Sequence, residues 1–259
     1  MSIMQFLPSL VRELLKHVPK LGFEVTDWEG VRRDAPLMAA RLLSQSGVSG
    51  LKKAQETPFS SFLSFDSPPA PTSGDSQEFG DLLLRYYFSQ LVIDEGVFLD
   101  LRPEHFSQSP GKLHFRPNGF WYRFSPGFRQ ALLELYDGFY FDREDLFESG
   151  LRGTGLLSDS WSQEERERMK TLFRSHFGSA RELPMRFNLE DFQKTFLSVF
   201  EFLMEKKVRL SSEFMLFGAY LVTLYLALQK AGGSHEVGRI YRELRRTSKT
   251  WIPPDRISQ

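Results

Sequence analysis

Residues 79–126 read FGDLLLRYYFSQLVIDEGVFLDLRPEHFSQSPGKLHFRPNGFWYRFSP, and this stretch decides the fold. Its first part has helical spacing. Phe79, Leu82, Leu83, Tyr86, Tyr87 and Leu91 fall on one face. Asp75 and Glu78 form a D-x-x-E capping box that would open this helix, which is expected to run to about Glu95. Gly96 then breaks the helix. Residues 105–124 are strand-like, and two hairpin signals compete within them. Ser109-Pro110-Gly111 would pair 105–108 with 112–116. Pro117-Asn118-Gly119 would pair 112–116 with 119–124 through a type I′ turn. Both could coexist in a three-stranded meander, and this β element should lie against the helix 78–95.

The flanks are helical. Ile3, Leu7, Leu10, Val11, Leu14, Leu15 and Val18 give residues 1–20 an apolar face, with Arg12, Lys16 and Lys20 opposite. A second helical stretch covers 31–43 and ends near Gly47 and Gly50. Residues 57–76 are rich in Ser, Pro and Gly and read as a linker or long loop. The expected organisation is therefore a helical segment over 1–56, a linker over 57–76 and a main domain over 77–250. Within that domain 128–136 and 144–151 return to helical spacing, and Ser160 with Gln163 should cap a further helix. Asn188 caps the next one, where Leu189, Phe192, Phe196, Val199 and Leu203 share a side. Ser211 should open an apolar helix over 212–229, closed by Gly232-Gly233. Ser234 should start the last helix. The apolar run 214–228 is shorter than the roughly 20 residues that cross a bilayer, so it reads as a core helix.

Composition limits the function classes. In 259 residues Lys+Arg and Asp+Glu balance at 33 each, so no general basic field exists to hold nucleic acid. Hydrophobic residues make up 41%, enough for a sizeable core. There are no cysteines, which excludes disulfides, thiolate metal sites and Cys nucleophiles. Residues 1–20 lack an unbroken apolar run and do not read as a signal peptide. A cytoplasmic protein is expected, with attachment to a membrane surface as the second reading.

The order helix, Gly96, Asp100, hairpin and Ser125-Pro126 resembles the catalytic segment of the AarF/UbiB family of atypical, kinase-like proteins. There a helix ends at Gly-Phe-Phe, and H-A-D-P-H-P-G-N, a Gly-turn hairpin, I-D-F-G and a Ser-Pro follow. The resemblance covers about residues 78–230. It implies the helical lobe of a protein-kinase-like fold, mainly α with a small β-hairpin element and a shortened N-terminal lobe. Set against H-A-D-P-H-P-G-N, the His falls on Phe98, the Ala on Leu99 and the Asp on Asp100. The two Pro positions fall on Leu101 and Pro103, and the middle His on Arg102. The Gly falls on Glu104, and the metal-binding Asn on His105. Counted back from Ser125-Pro126, I-D-F-G falls on Arg116-Pro117-Asn118-Gly119, so the metal Asp becomes Pro117. Proline has no side-chain oxygen to offer magnesium, and His105 is a poor replacement for an oxygen ligand. Residues 1–77 contain neither a V-A-V-K-like strand nor the family's K-x-G-Q helix.

The same residues have plainer readings. Asp100 with Arg102 reads as a structural ion pair. His17, His105, His114, His176 and His235 show no metal-ligand spacing, although His105 and His114 could meet across strands. The acidic stretch Asp137, Asp142, Glu144, Asp145 and Glu148 lacks EF-hand spacing and reads as a solvated face. So does the basic run Arg239, Arg242, Arg245, Arg246 and Lys249. The glycines of 150–155 follow no strand and precede no Lys, so no phosphate loop is expected there.

The expected protein is a non-catalytic, pseudokinase-like scaffold or regulator that binds a protein partner, or a lipid or membrane surface. It would need no cofactor, metal or nucleic acid. The degenerate site is Asp100, Arg102, His105 and Pro117, with Asp100 as the remnant catalytic candidate. Two alternatives stand beside it. One is a reduced atypical kinase or ATPase linked to quinone or lipid metabolism, as the resemblance implies. The other is an unrelated all-helical interaction protein.

Overall fold

A computed structural model describes residues 20–65, 76–93 and 96–248, the side chains of 37–43 excepted. Ten helices and five short strands are described: α1 Lys20–Glu24, α2 Trp28–Leu43, α3 Gln45–Phe59, β1 Leu63–Ser64, α4 Ser76–Val92, β2 Val97–Phe98, β3 Phe106–Ser109, β4 Lys112–Phe115, β5 Trp121–Tyr122, α5 Pro126–Tyr140, α6 Glu144–Gly153, α7 Gln163–Phe177, α8 Leu189–Glu205, α9 Ser212–Ala231 and α10 Val237–Thr247. The chain is mainly helical, as the periodicity predicts. The amphipathic helix expected over 1–20 lies outside the described residues apart from Lys20.

Helix α9 is apolar on nearly every side and is buried along most of its length. It is the one described helix long and apolar enough to cross a membrane, and 67% of its apolar window is buried inside the fold. Helix α4 packs beside it. The Tyr87 and Tyr220 rings stack at 4.6 Å, and the Tyr220 hydroxyl donates to the Tyr87 carbonyl at 3.1 Å. The β element lies against α4, as expected, with Tyr86 edge-on to Phe115 at 5.4 Å.

Of the two hairpin signals, Ser109-Pro110-Gly111 prevails. Strands β3 and β4 pair antiparallel from Phe106↔Phe115 to Ser109↔Lys112. The Glu78 carboxylate reaches over this turn and accepts from Gly111 N at 2.7 Å and Gln108 Nε2 at 2.5 Å. Glu78 thus braces the hairpin, while its expected capping partner Asp75 lies outside the described residues. The meander does not form. The third strand of the sheet is β1, parallel to β4, and β5 pairs instead with β2. The Asn118 side chain is occupied elsewhere, as described below.

Residues 57–65 also depart from the linker expected over 57–76. Phe59, Phe62 and Leu63 are buried in the common core, because aromatic side chains interleave with the Ser residues that suggested a loop. The rest of that stretch, 66–75, lies outside the described residues. Helix α2 ends at Leu43, as expected, and the glycines expected near its end, Gly47 and Gly50, lie instead inside a separate helix, α3. Ser44 caps it by accepting from Gly47 N at 3.0 Å. Gly47 lies under the Trp121 indole, where a Cβ would come within 2.3 Å of Cζ2, so this glycine permits a close approach.

Asn188 and Ser211 cap α8 and α9 as expected. Ser162 with Glu165, rather than Ser160, forms the capping box of α7. The last helix starts at Val237, after His235 bridges to Met185. Two charges expected on solvated faces are buried. Asp137 takes Arg245 Nη2 at 2.6 Å and Nε at 2.9 Å, and Tyr241 Oη at 2.7 Å. This triad joins α10 to α5.

Helices α5 and α6 touch backbone to backbone. A Cβ on Gly138 would stand 2.2 Å from Phe147 N. No rotamer relieves a clash with main chain. Gly138→Ala is expected to cost about 3 kcal/mol of overpacking, against about 1 kcal/mol of helix propensity gained. Urea unfolding should show a net loss near 2 kcal/mol, and an unchanged midpoint would contradict this packing.

Candidate functional site

The segment 97–101 runs through the interior, and neighbouring side chains satisfy its backbone. Phe98 N donates to Gln90 Oε1 at 2.7 Å, and Leu99 N donates to Phe120 O at 2.9 Å. Thr223 Oγ1 donates to Leu99 O at 2.8 Å and accepts from Leu101 N at 3.1 Å. Val97, Phe98, Leu99 and Leu101 fill the core around it. Helices α4 and α9 therefore hold this loop from two sides. Gln90 is itself fixed, donating to Tyr220 Oη at 2.8 Å and accepting from Gln55 Nε2 at 3.0 Å.

This suspension places Asp100 at the end of β2 with only 1% of its surface exposed. An ionised carboxylate there must be fully compensated. Arg102 supplies a bidentate pair, Nε to Oδ1 at 2.8 Å and Nη2 to Oδ2 at 2.9 Å. Its backbone N also donates to Oδ1 at 3.2 Å. His105 Nε2 lies 3.0 Å from Oδ2. A carboxylate only accepts, so this geometry puts a proton on Nε2. Asn118 Nδ2 adds a fourth side-chain donor contact at 2.6 Å. Two carboxylate oxygens offer about four lone-pair sites, and five donors converge on them. Burial acts to raise the Asp100 pKa, but the bonds from Arg102 and His105 outweigh it and hold the carboxyl well below the usual range.

Local sequence explains the convergence. Pro103 starts the 3-10 turn Pro103–His105 with its ring at the first helical position. The turn closes through His105 N to Arg102 O at 3.1 Å and returns the imidazole toward Asp100. Asn118 folds back on its own backbone, with Oδ1 accepting from Phe120 N at 2.9 Å. Its amide is then free to face Asp100. Glu104 lies 3.2 Å from Arg102 Nη1 at the rim.

Asp100, Arg102 and His105 thus come together, as the sequence suggests. Pro117 only adjoins the cluster, and its neighbour Asn118 makes the contact. From the sequence Asn118 has only a turn position and the Phe position of the I-D-F-G alignment, and neither points to Asp100. Gln90 and Thr223 were also missed, although a polar Thr inside the apolar run 214–228 is a visible signal. His105 and His114 do not meet, because His114 Nε2 pairs with Ser109 Oγ at 2.9 Å. Among the described residues no group of three or more His, Cys, Asp or Glu is placed to hold a metal ion.

Such a cluster can hold a loop rigid. It cannot offer Asp100 as a proton acceptor, since a carboxylate with a depressed pKa and saturated lone pairs is a weak base. No family model, curated protein or solved structure matches the chain.

Asp100→Ala removes the bidentate acceptor of Arg102 in a site only 18% exposed. The expected loss is about 3 kcal/mol at neutral pH, measured by urea unfolding. The pH dependence has a definite sign. The folded pKa is depressed, so the contribution is complete well above the unfolded value near 3.9 and drains away as pH falls below it. The gap between wild type and Asp100→Asn should therefore narrow between pH 6 and pH 3. A constant gap would mean that the charge of Asp100 is irrelevant.

Proposed function

We propose that this protein is a non-catalytic scaffold or regulator, a degenerate kinase-like helical lobe that acts by binding a protein partner. The observation that carries this reading is the saturation of Asp100 by Arg102, His105 and Asn118. Phosphoryl transfer is mainly positioning and charge neutralisation. It needs a carboxylate free to meet the acceptor and oxygen ligands for magnesium. Here the candidate carboxylate is bound by donors on both oxygens, and the position matching the family's metal Asp is Pro117. The AarF/UbiB resemblance supports the kinase-like ancestry, and the side chains at its motif positions support loss of the chemistry. A cytoplasmic location fits the absence of cysteine. The balanced charge fits a protein partner better than nucleic acid.

Calorimetric titration with Mg-ATP tests this. No magnesium-dependent binding is expected at micromolar nucleotide. Tight Mg-ATP binding that Asp100→Ala abolishes would overturn the reading in favour of a reduced kinase or ATPase.

A further inference from the structure

Helix α9 is apolar on nearly every side, so each of its sides needs cover. Beside α8 it leaves a shallow groove with an apolar lining. Phe192, Phe196 and Phe200 form one wall, and Met215, Gly218 and Val222 form the other. The three rings of α8 follow one another at 4.7 and 5.6 Å. Among the described residues a Cβ on Gly218 would meet nothing within 4 Å, so the α9 backbone is open there to another element. Leu197 and Met204 are 36% and 42% exposed. They neighbour Phe200 at i−3 and i+4 on the surface of α8. One end of the groove is tied to the start of the described chain. Met215 Sδ lies 3.1 Å from Thr26 Oγ1, and α1 packs on α8. Residues 1–19 therefore join the fold beside the Met215 end.

The sequence of 1–19 fits such a groove. Leu7, Val11, Leu14 and Val18 recur at steps of four, three and four, the spacing of a seam between packed helices. Arg12 and Lys16 fall on the opposite side, toward water. Pro8 suits a first helical turn, and Pro19 stops a helix just before α1 begins at Lys20. As a helix the run 8–18 is about 16 Å long, and the groove from Met215 to Val222 is about 10 Å long. The segment is therefore long enough to cover it. A helix this short is marginal in water unless a surface takes its apolar face. We infer that residues 7–18 of this chain dock as a helix in the groove between α8 and α9, with their apolar seam over Phe196, Phe200 and Gly218. The groove shares no residue with the Asp100 cluster, so an empty groove would leave the proposed loss of catalysis untouched.

Limited trypsin digestion of the full chain tests this docking. A helix held in the groove must open before the chain is cut after Arg12 and Lys16, so those cuts should be slow. Gly218→Leu fills the groove at a position where a Cβ meets nothing described, and it also raises helix propensity. It should displace the segment and speed the two cuts at least about tenfold. Cleavage after Lys170, whose side chain is 3% exposed and which needs wider opening, should be no faster than in the wild type. The chain has no cysteine, so Leu197→Cys carries a nitroxide at one position only. That label should broaden the amide resonances of residues 7–18, and Gly218→Leu should restore them. Cuts after Arg12 and Lys16 that are as fast in the wild type as in Gly218→Leu would overturn the inference. So would sharp resonances for 7–18 beside the nitroxide. Equal broadening when labelled chains are mixed with unlabelled, isotope-enriched ones would also overturn it and make the groove a contact between two copies.

Discussion

The constraint on which the centre of this molecule turns is the burial of the Asp100 carboxylate. Removing one such charge from water costs several kcal/mol unless donors replace the lost hydration. Here the replacement comes from residues 2, 5 and 18 positions further along the chain, Arg102, His105 and Asn118. Bringing them to one point demands the 3-10 turn after Pro103, the return of the chain through β3 and β4, and the fold-back at Asn118. The loop that carries Asp100 is fastened in turn by Gln90 of α4 and Thr223 of α9. One carboxylate thereby links the two central helices to both small sheets. Asp137 plays a similar part further out, where Arg245 and Tyr241 tie α10 to α5.

The same constraint bears on chemistry. A carboxylate that accepts a substrate proton needs a lone pair directed at the substrate and a pKa that tolerates protonation. The environment of Asp100 works against both. Its donors stabilise the charged form and occupy the oxygens on which a metal or hydroxyl would have to bind. A residue can serve as a structural keystone or as a base, and the surroundings of Asp100 are built for the first role.

Much of the fold was legible in the chain because helices announce themselves by period and cap. Asn188, Ser211 and Gly232 bound their helices where polar and glycine signals place them. Boundaries failed where a residue type served a tertiary purpose. Gly47 reads as a helix end, yet it sits inside α3 because Trp121 lies against it. The Ser-rich stretch before residue 66 reads as a linker, yet Phe59 and Phe62 anchor it in the core. Asn118-Gly119 reads as a hairpin turn, but local propensity yields to the demand of Asp100 for a donor. At the site, the Asp100–Arg102 pair was legible from its i, i+2 spacing and charge. The contributions of Asn118, Gln90 and Thr223 were not, because they depend on contacts 8 to 124 residues apart. Asp137 and Arg245 were hidden for the same reason. Each lies in a run of like charge in which Asp142, Glu144, Asp145, Arg239 and Arg246 remain exposed.

The most direct test of this account is to follow the Asp100 side-chain carboxyl by carbon NMR, with the resonance assigned through Asp100→Asn, while varying pH and then adding magnesium with and without ATP. The account predicts a carboxylate that stays ionised from pH 7 to about pH 3, below the ordinary aspartate value, and that does not respond to millimolar magnesium or Mg-ATP. A titration near the ordinary value, or a shift on addition of magnesium, would show an available carboxylate and contradict the structural role assigned to it.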